Sequence, residues 1–304
     1  QGEAAAVTEA VARVANPKTP ADEQLRLVRA LGETRAGDAI PALLNAAGAG
    51  RTESLRAAAF VALSTFPDDG LGERIAALLP KTKGATRDAA VGALASRPAW
   101  SRSLLRSLEA GDISPSAVPA DAADRLRRSG DPAVAARAAV LLPPPGAAGD
   151  FQARIDAVLA ALKAGTGNPY AGEATFSARC ASCHRLFFKG GNLGPDLTAY
   201  QRDNLGTLLL SIINPDAEIR EGYQYVQVDT TDGRNLGGFI VDRDHQVTLL
   251  RGTGGETLTL RSTEIRELRP MGRSLMPGGL LDGLADQELR DFFAYLRISQ
   301  PITR

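Results

Sequence analysis

The chain is poor in several residues that carry chemistry. Its 304 residues include two cysteines, two histidines, two methionines and one tryptophan, and aromatics make up 5%. A core with so few rings must be filled by Ala, Leu, Val and Ile, which favours closely packed helices over an aromatic-rich sandwich. Net charge is zero, with 35 basic and 35 acidic residues. The balance holds in both halves, so the basic stripe of a nucleic-acid-binding protein is missing. No run approaches the ~18 apolar residues of a membrane span. The first residues read as a helix and carry no charged-then-apolar leader, so export would require that a leader has been removed.

The length suits two domains at the usual ~100–200 residues each. Residues 1–145 read as paired helices. The segments "EQLRLVRALGE", "ESLRAAAFVALS" and "TRDAAVGALAS" align on Ala30-Leu31, Ala62-Leu63 and Ala93-Leu94, a period of about 31–32 residues. Each is followed by a second apolar helix, "AIPALLNAAG", "LGERIAALLP" or "SRSLLRSLEAG". A repeat of this length built from two helices points to an α-solenoid. The pattern is similar to HEAT repeats, run somewhat short; the tetratricopeptide signature is missing.

A proline-rich joint, "LLPPPGAAGD" (141–150), separates this region from a second domain over 146–304. A helix follows with Ile155, Val158, Leu159 and Leu162 on one face, and another is expected from about Gly172. Over about 222–269 the period becomes strand-like. About five antiparallel strands are expected, with Asp232-Gly233 marking a hairpin turn. A last amphipathic helix carries Leu289, Phe292, Phe293 and Leu296. The predicted fold is therefore mainly α: a HEAT-like solenoid, then a helical domain with a small antiparallel β insertion.

Both cysteines lie in "CASCH": Cys180, Cys183 and His184. Cys-X-X-Cys-His is the haem attachment sequence of c-type cytochromes. Two thiols about one helical turn apart can each form a thioether with a haem vinyl group, and the adjacent imidazole then reaches the iron. A zinc site would need a fourth N or S ligand, and His245 is the only further His or Cys. A redox CXXC belongs at a helix start after a strand of a βαβ unit, whereas here a helix precedes it. A disulfide closing so small a loop would stabilise little.

Downstream, "NLGPDL" supplies Gly194-Pro195, and with it the segment resembles class I cytochromes c. The resemblance implies that the Pro195 carbonyl accepts a hydrogen bond from His184, fixing its tautomer, and that Phe176 packs against the last helix. It also implies an axial methionine in a rigid loop before the final helix. "SLMPGGL" places Met276 there; Met271 and His245 are the other candidates. A His184/Met276 pair would saturate the iron and raise its potential, which suits single-electron transfer and leaves no open position for catalysis.

More specifically, "FSARCASCH", "GPDLT", "IINPDAEIREGYQYVQVDTTDGRNLGGFI", "VTLL", "EIRELRP" and "SLMPGGLLDGLADQELRDFFAYL" resemble a bacterial family in which HEAT-like helices precede a haem c domain with a β insertion. Such domains are often fused to, or encoded near, periplasmic sugar-type dehydrogenases. The resemblance implies a periplasmic or otherwise extracytoplasmic electron carrier with one covalent haem c and its iron. A dehydrogenase would be the donor, with a further redox acceptor and no catalysis by the chain itself. The alternatives are an electron-acceptor domain of a larger dehydrogenase and a haem-bearing interaction scaffold. Ala285 departs from the family's Ser or Thr helix cap, and Asp286 is expected to cap one residue later.

Overall fold

The computed structural model describes residues 2–143, 151–252 and 257–303; the proline-rich joint lies outside them from residue 144 on. The protein is mainly helical, with a small antiparallel sheet. The chain divides into two compact units, one of residues 1–144 with 226–269 and one of residues 145–225 with 270–304.

Among the described residues of the first unit, nine α-helices precede the strands: α1 (Gly2–Ala15), α2 (Ala21–Thr34), α3 (Ile40–Ala49), α4 (Glu53–Leu63), α5 (Leu71–Ala76), α6 (Gly84–Leu94), α7 (Pro98–Ala110), α8 (Ala120–Arg127) and α9 (Pro132–Leu141). The anchors Leu31, Leu63 and Leu94 are each at most 1% exposed, one near the end of each of α2, α4 and α6. These three helices pack in succession, as do α5, α7 and α9. Turn chemistry fixes the starts. The Thr52 side chain accepts the Leu55 amide, and Asp131 accepts those of Ala133 and Val134, meeting donors that the first helical turn leaves without a partner.

The five-stranded antiparallel sheet comprises β3 (Gln224–Thr230), β4 (Asn235–Arg243), β5 (Val247–Arg251), β6 (Thr257–Arg261) and β7 (Ile265–Ser274), in the order β6-β5-β4-β3-β7. A two-stranded hairpin, β1 (Arg185–Leu186) with β2 (Lys189–Gly190), precedes it in the chain. Val226, Val228, Leu236, Leu250 and Leu260 form the sheet's own core. The expected turn at Asp232-Gly233 joins β3 to β4, with Gly233 at φ 83°. The strand-like stretch expected to end at about residue 269 runs on, with β7 continuing through Pro270 to Ser274. It is an edge strand, where a proline without an amide proton is tolerated.

Chain order groups these strands with the segment that carries the cysteines, whereas their packing groups residues 226–269 with the N-terminal helices. The seam is polar. The Asn235 amide donates to the Ser96 carbonyl at 2.7 Å, Arg125 donates to the Asn235 carbonyl at 2.9 Å, and Arg97 donates to the Asp232 carbonyl at 2.7 Å. Arg35 pairs with Glu264 at 2.8 Å. Burial pushes the Asp232 carboxyl upward, but the Thr230 hydroxyl and the charges of Arg234 and Arg97 prevail and hold it at about 2.

The second unit holds α10 (Phe151–Lys163), α11 (Pro169–Arg179), α12 (Leu205–Ile213) and α13 (Asp286–Leu296) around one apolar cluster. Helix α11 begins at Pro169, earlier than the expected Gly172. Asn168 caps it by accepting the Tyr170 amide at 2.9 Å, and proline at the first helical position needs no partner for an amide it lacks. Helices α11 and α13 meet at Gly172, where a Cβ would lie 1.9 Å from the Asp291 carbonyl oxygen. One turn on, the rings of Phe176 and Tyr295 pack with centroids 5.5 Å apart. Asp286 is the first residue of α13 rather than its cap. The cap position is Ala285, whose amide donates to the Glu288 carboxylate at 2.8 Å. No helix among the described residues is long and apolar enough to cross a membrane.

Candidate functional site

Cys180 closes α11, its amide donating to the Phe176 carbonyl at 2.8 Å. The chain then makes one tight turn. The amides of Cys183 and His184 both donate to the Cys180 carbonyl, at 3.1 and 2.8 Å. The two thiols and the imidazole are thus gathered on a single turn, and all three residues are half-buried. The next residues form the β1–β2 hairpin. Phe187 in its turn takes φ 55°, with the Arg202 guanidinium 5.3 Å above its ring and its amide bonded to the Thr198 hydroxyl at 2.7 Å. After the hairpin the chain is tied back to the cysteine turn: Gly191 N–H to the Ala181 carbonyl and Gly194 N–H to the Cys183 carbonyl, both at 2.8 Å.

These ties bring the Gly194-Pro195 segment against His184. The imidazole Nδ1 lies 2.9 Å from the Pro195 carbonyl oxygen. A carbonyl can only accept, so Nδ1 carries the proton and Nε2 keeps its lone pair. Gly194 lies against the ring: a Cβ there would sit 2.6 Å from Cε1, 2.9 Å from Nδ1 and 3.0 Å from Nε2 of His184. Only glycine lets the backbone approach so closely. Burial lowers the His184 pKa, with the Pro195 carbonyl opposing it, so the ring is neutral at pH 7, the form that can ligate a metal.

Burial pushes the Cys180 thiol up to about 11, reinforced by the charge of Cys183 and opposed by Arg179. A redox-active CXXC works by the opposite shift, a thiol lowered toward neutrality. No group of three or more His, Cys, Asp or Glu side chains among the described residues is arranged to hold a metal ion. Such a group would make a zinc-type cage; a haem iron takes only two protein ligands.

The methionine candidates separate by packing. Met276 packs against the same apolar cluster as Cys180, together with Ala181, Leu197 and Leu280. Met271 lies in β7 and is not part of that cluster. His245 is exposed, in the turn between β4 and β5. Arg179, the residue before Cys180, reaches the chain beyond Met276 and donates to the carbonyls of Leu280 and Asp282, both at 2.9 Å. Arg202, 8% exposed, donates to the carbonyls of Leu296 at 2.5 Å, Ile298 at 2.8 Å and Thr198 at 3.2 Å, tying the segment after Pro195 to the end of α13. Sequence reasoning passed over both arginines, since among thirty in the chain nothing local marks those that bind carbonyls a hundred residues away.

The donor chemistry here fits a c-type haem: two thiols on one turn, a neutral imidazole whose Nδ1 rather than Nε2 is bound to Pro195, and a thioether on the same apolar core. Neither a family model nor a curated protein matches the chain.

Proposed function

We propose that this chain is an extracytoplasmic c-type cytochrome that passes single electrons through one covalently held haem. The observation that carries this reading is the turn Cys180–His184 with Nδ1 of His184 committed to the Pro195 carbonyl. In this reading Cys180 and Cys183 hold the porphyrin by thioethers, and His184 Nε2 and the Met276 sulfur hold the iron. The iron supplies a centre that gains and loses one electron. The protein's part would be to fix the imidazole tautomer, raise its basicity through the Pro195 bond and offer the Met276 sulfur as a soft ligand that favours the reduced state. The two-helix contact of α11 and α13, with the Gly194-Pro195 loop, supports a cytochrome c-like second unit. The succession α2, α4, α6 with buried repeat anchors supports a HEAT-like array in the first. A dehydrogenase as electron donor, and a location outside the reducing cytoplasm, rest on the family resemblance.

The test is Met276→Ala in the full chain, matured with a c-type haem attachment apparatus. We expect covalent haem to be retained, the far-red methionine-to-iron band to vanish, the potential to fall and carbon monoxide to bind the ferrous protein readily. If the band and potential are unchanged, Met276 is not the ligand.

A further inference from the structure

Met276 lies between the end of β7 and a Pro-Gly-Gly stretch, with no helix or strand of its own to fix it. A thioether that serves an iron must nevertheless be held, because a loop that opens vacates the sixth position. Two hydrogen bonds address this. The Ser274 amide donates to Asp216 Oδ1 at 2.7 Å, and the Met276 amide donates to the Ser274 hydroxyl oxygen at 3.1 Å.

Asp216 is itself anchored. It sits on the turn after α12, where the Asn214 amide donates to the Leu210 carbonyl at 2.8 Å and the Ala217 amide to the Asn214 carbonyl at 3.0 Å. Leu208, Leu209, Ile212 and Ile213 of α12 are buried in the apolar cluster on which Met276 packs. The path therefore runs from a core helix, through a carboxylate and a hydroxyl, to the methionine backbone. Asp216 itself is exposed, so the link is reachable by solvent and by substitution without disturbing the core.

We propose that Asp216 and Ser274 are positioning residues that latch the Met276 loop in its ligating place. The proposal rests on the reading of Met276 as axial ligand and adds what keeps it there. Asp216 and Ser274 act only through backbone amides, so removing either loosens the loop without removing a ligand.

The experiment uses the full chain with haem attached and the variants Asp216→Ala, Asp216→Asn, Ser274→Ala and Met276→Ala, with carbon monoxide as the probe. Losing one net hydrogen bond raises the open fraction about two- to tenfold, so the carbon monoxide binding rate of Asp216→Ala and Ser274→Ala should rise by that factor, with a weaker far-red band. Asp216→Asn keeps an acceptor oxygen and should restore most of the wild-type rate. A second readout needs no haem: in the haem-free chain, exchange of the Ser274 and Met276 amide protons should quicken in Asp216→Ala and stay slow in Asp216→Asn. If Met276→Ala binds carbon monoxide fast while the alanine variants at 216 and 274 match wild type, the latch is wrong and the ligand assignment stands. If Met276→Ala also matches wild type, or no covalent haem is present, both are overturned.

Discussion

At the scale of single residues, Gly194 makes the sharpest demand. The His184 ring occupies the space that any side chain there would need, so Gly194→Ala must displace either the ring or the loop. Overpacking of this kind costs about 1–3 kcal/mol. We expect lower thermal stability and loss of the downfield Nδ1 proton signal that the Pro195 bond produces, read by nuclear magnetic resonance. An unshifted signal in a fully stable variant would contradict the geometry. The candidate residues Cys180, Cys183, His184, Pro195 and Met276 stand out in the sequence because the chain has so few of their kind or because they sit in a short pattern. Arg179, Asp216 and Ser274 do not, since each acts on a backbone group of a distant segment and common residues leave no local mark.

At the scale of elements, the β3–β4 turn and helix α6 give opposite pH behaviour. The Asp232 carboxyl is held at about 2, below its ordinary 3.8, so it adds stability above pH ~4 that is lost as pH falls toward 2. Asp232→Asn should lower stability by about 1–2 kcal/mol at pH 7 after allowance for solvent screening, with the difference closing near pH 2. Burial raises Asp88 on α6 to about 6, reinforced by the charge of Asp121, opposed by Arg87 and reinforced again by Glu53. The folded chain then binds the extra proton, and stability falls as pH rises from ~4 to ~6. Asp88→Asn should remove that slope and add about 1 kcal/mol at pH 7. Denaturant titrations across this range check both; parallel curves for variant and wild type would refute the assignments. Periodicity made many of the elements readable, down to the hairpin at Asp232-Gly233. It does not reveal partners: that Asn235 bonds to Ser96 across 139 residues is settled by tertiary packing. The start of α11 at Pro169 was present in the Asn168-Pro169 pair as a cap followed by proline. Helix α12 was not anticipated, although Asn204 caps it by accepting the Thr207 amide at 3.3 Å.

At the scale of the whole molecule, the chain leaves its second unit at Tyr225 and re-enters it at Pro270. Both segments of that unit contribute to the proposed site: 145–225 brings the cysteines and His184, and 270–304 brings Met276. Haem attachment should therefore slow amide exchange in residues 151–225 and 270–303 and leave residues 2–143, 226–252 and 257–269 unchanged. Protection spread evenly over both units would argue against the division. The few rings are shared between the units: Phe60, Phe66 and Trp100 are buried in the first, and Phe176 packs on Tyr295 where α11 meets α13 in the second.

The central claim is that haem is held by covalent bonds to Cys180 and Cys183, and the most direct measurement is the mass of the denatured full chain after production with a c-type haem maturation apparatus. The account predicts the chain mass plus one haem, surviving acid denaturation, with a pyridine haemochrome of the thioether type. Replacing both cysteines by serine should return the bare chain mass. A bare mass from the wild-type chain, with haem absent or extracted by acid, would contradict it.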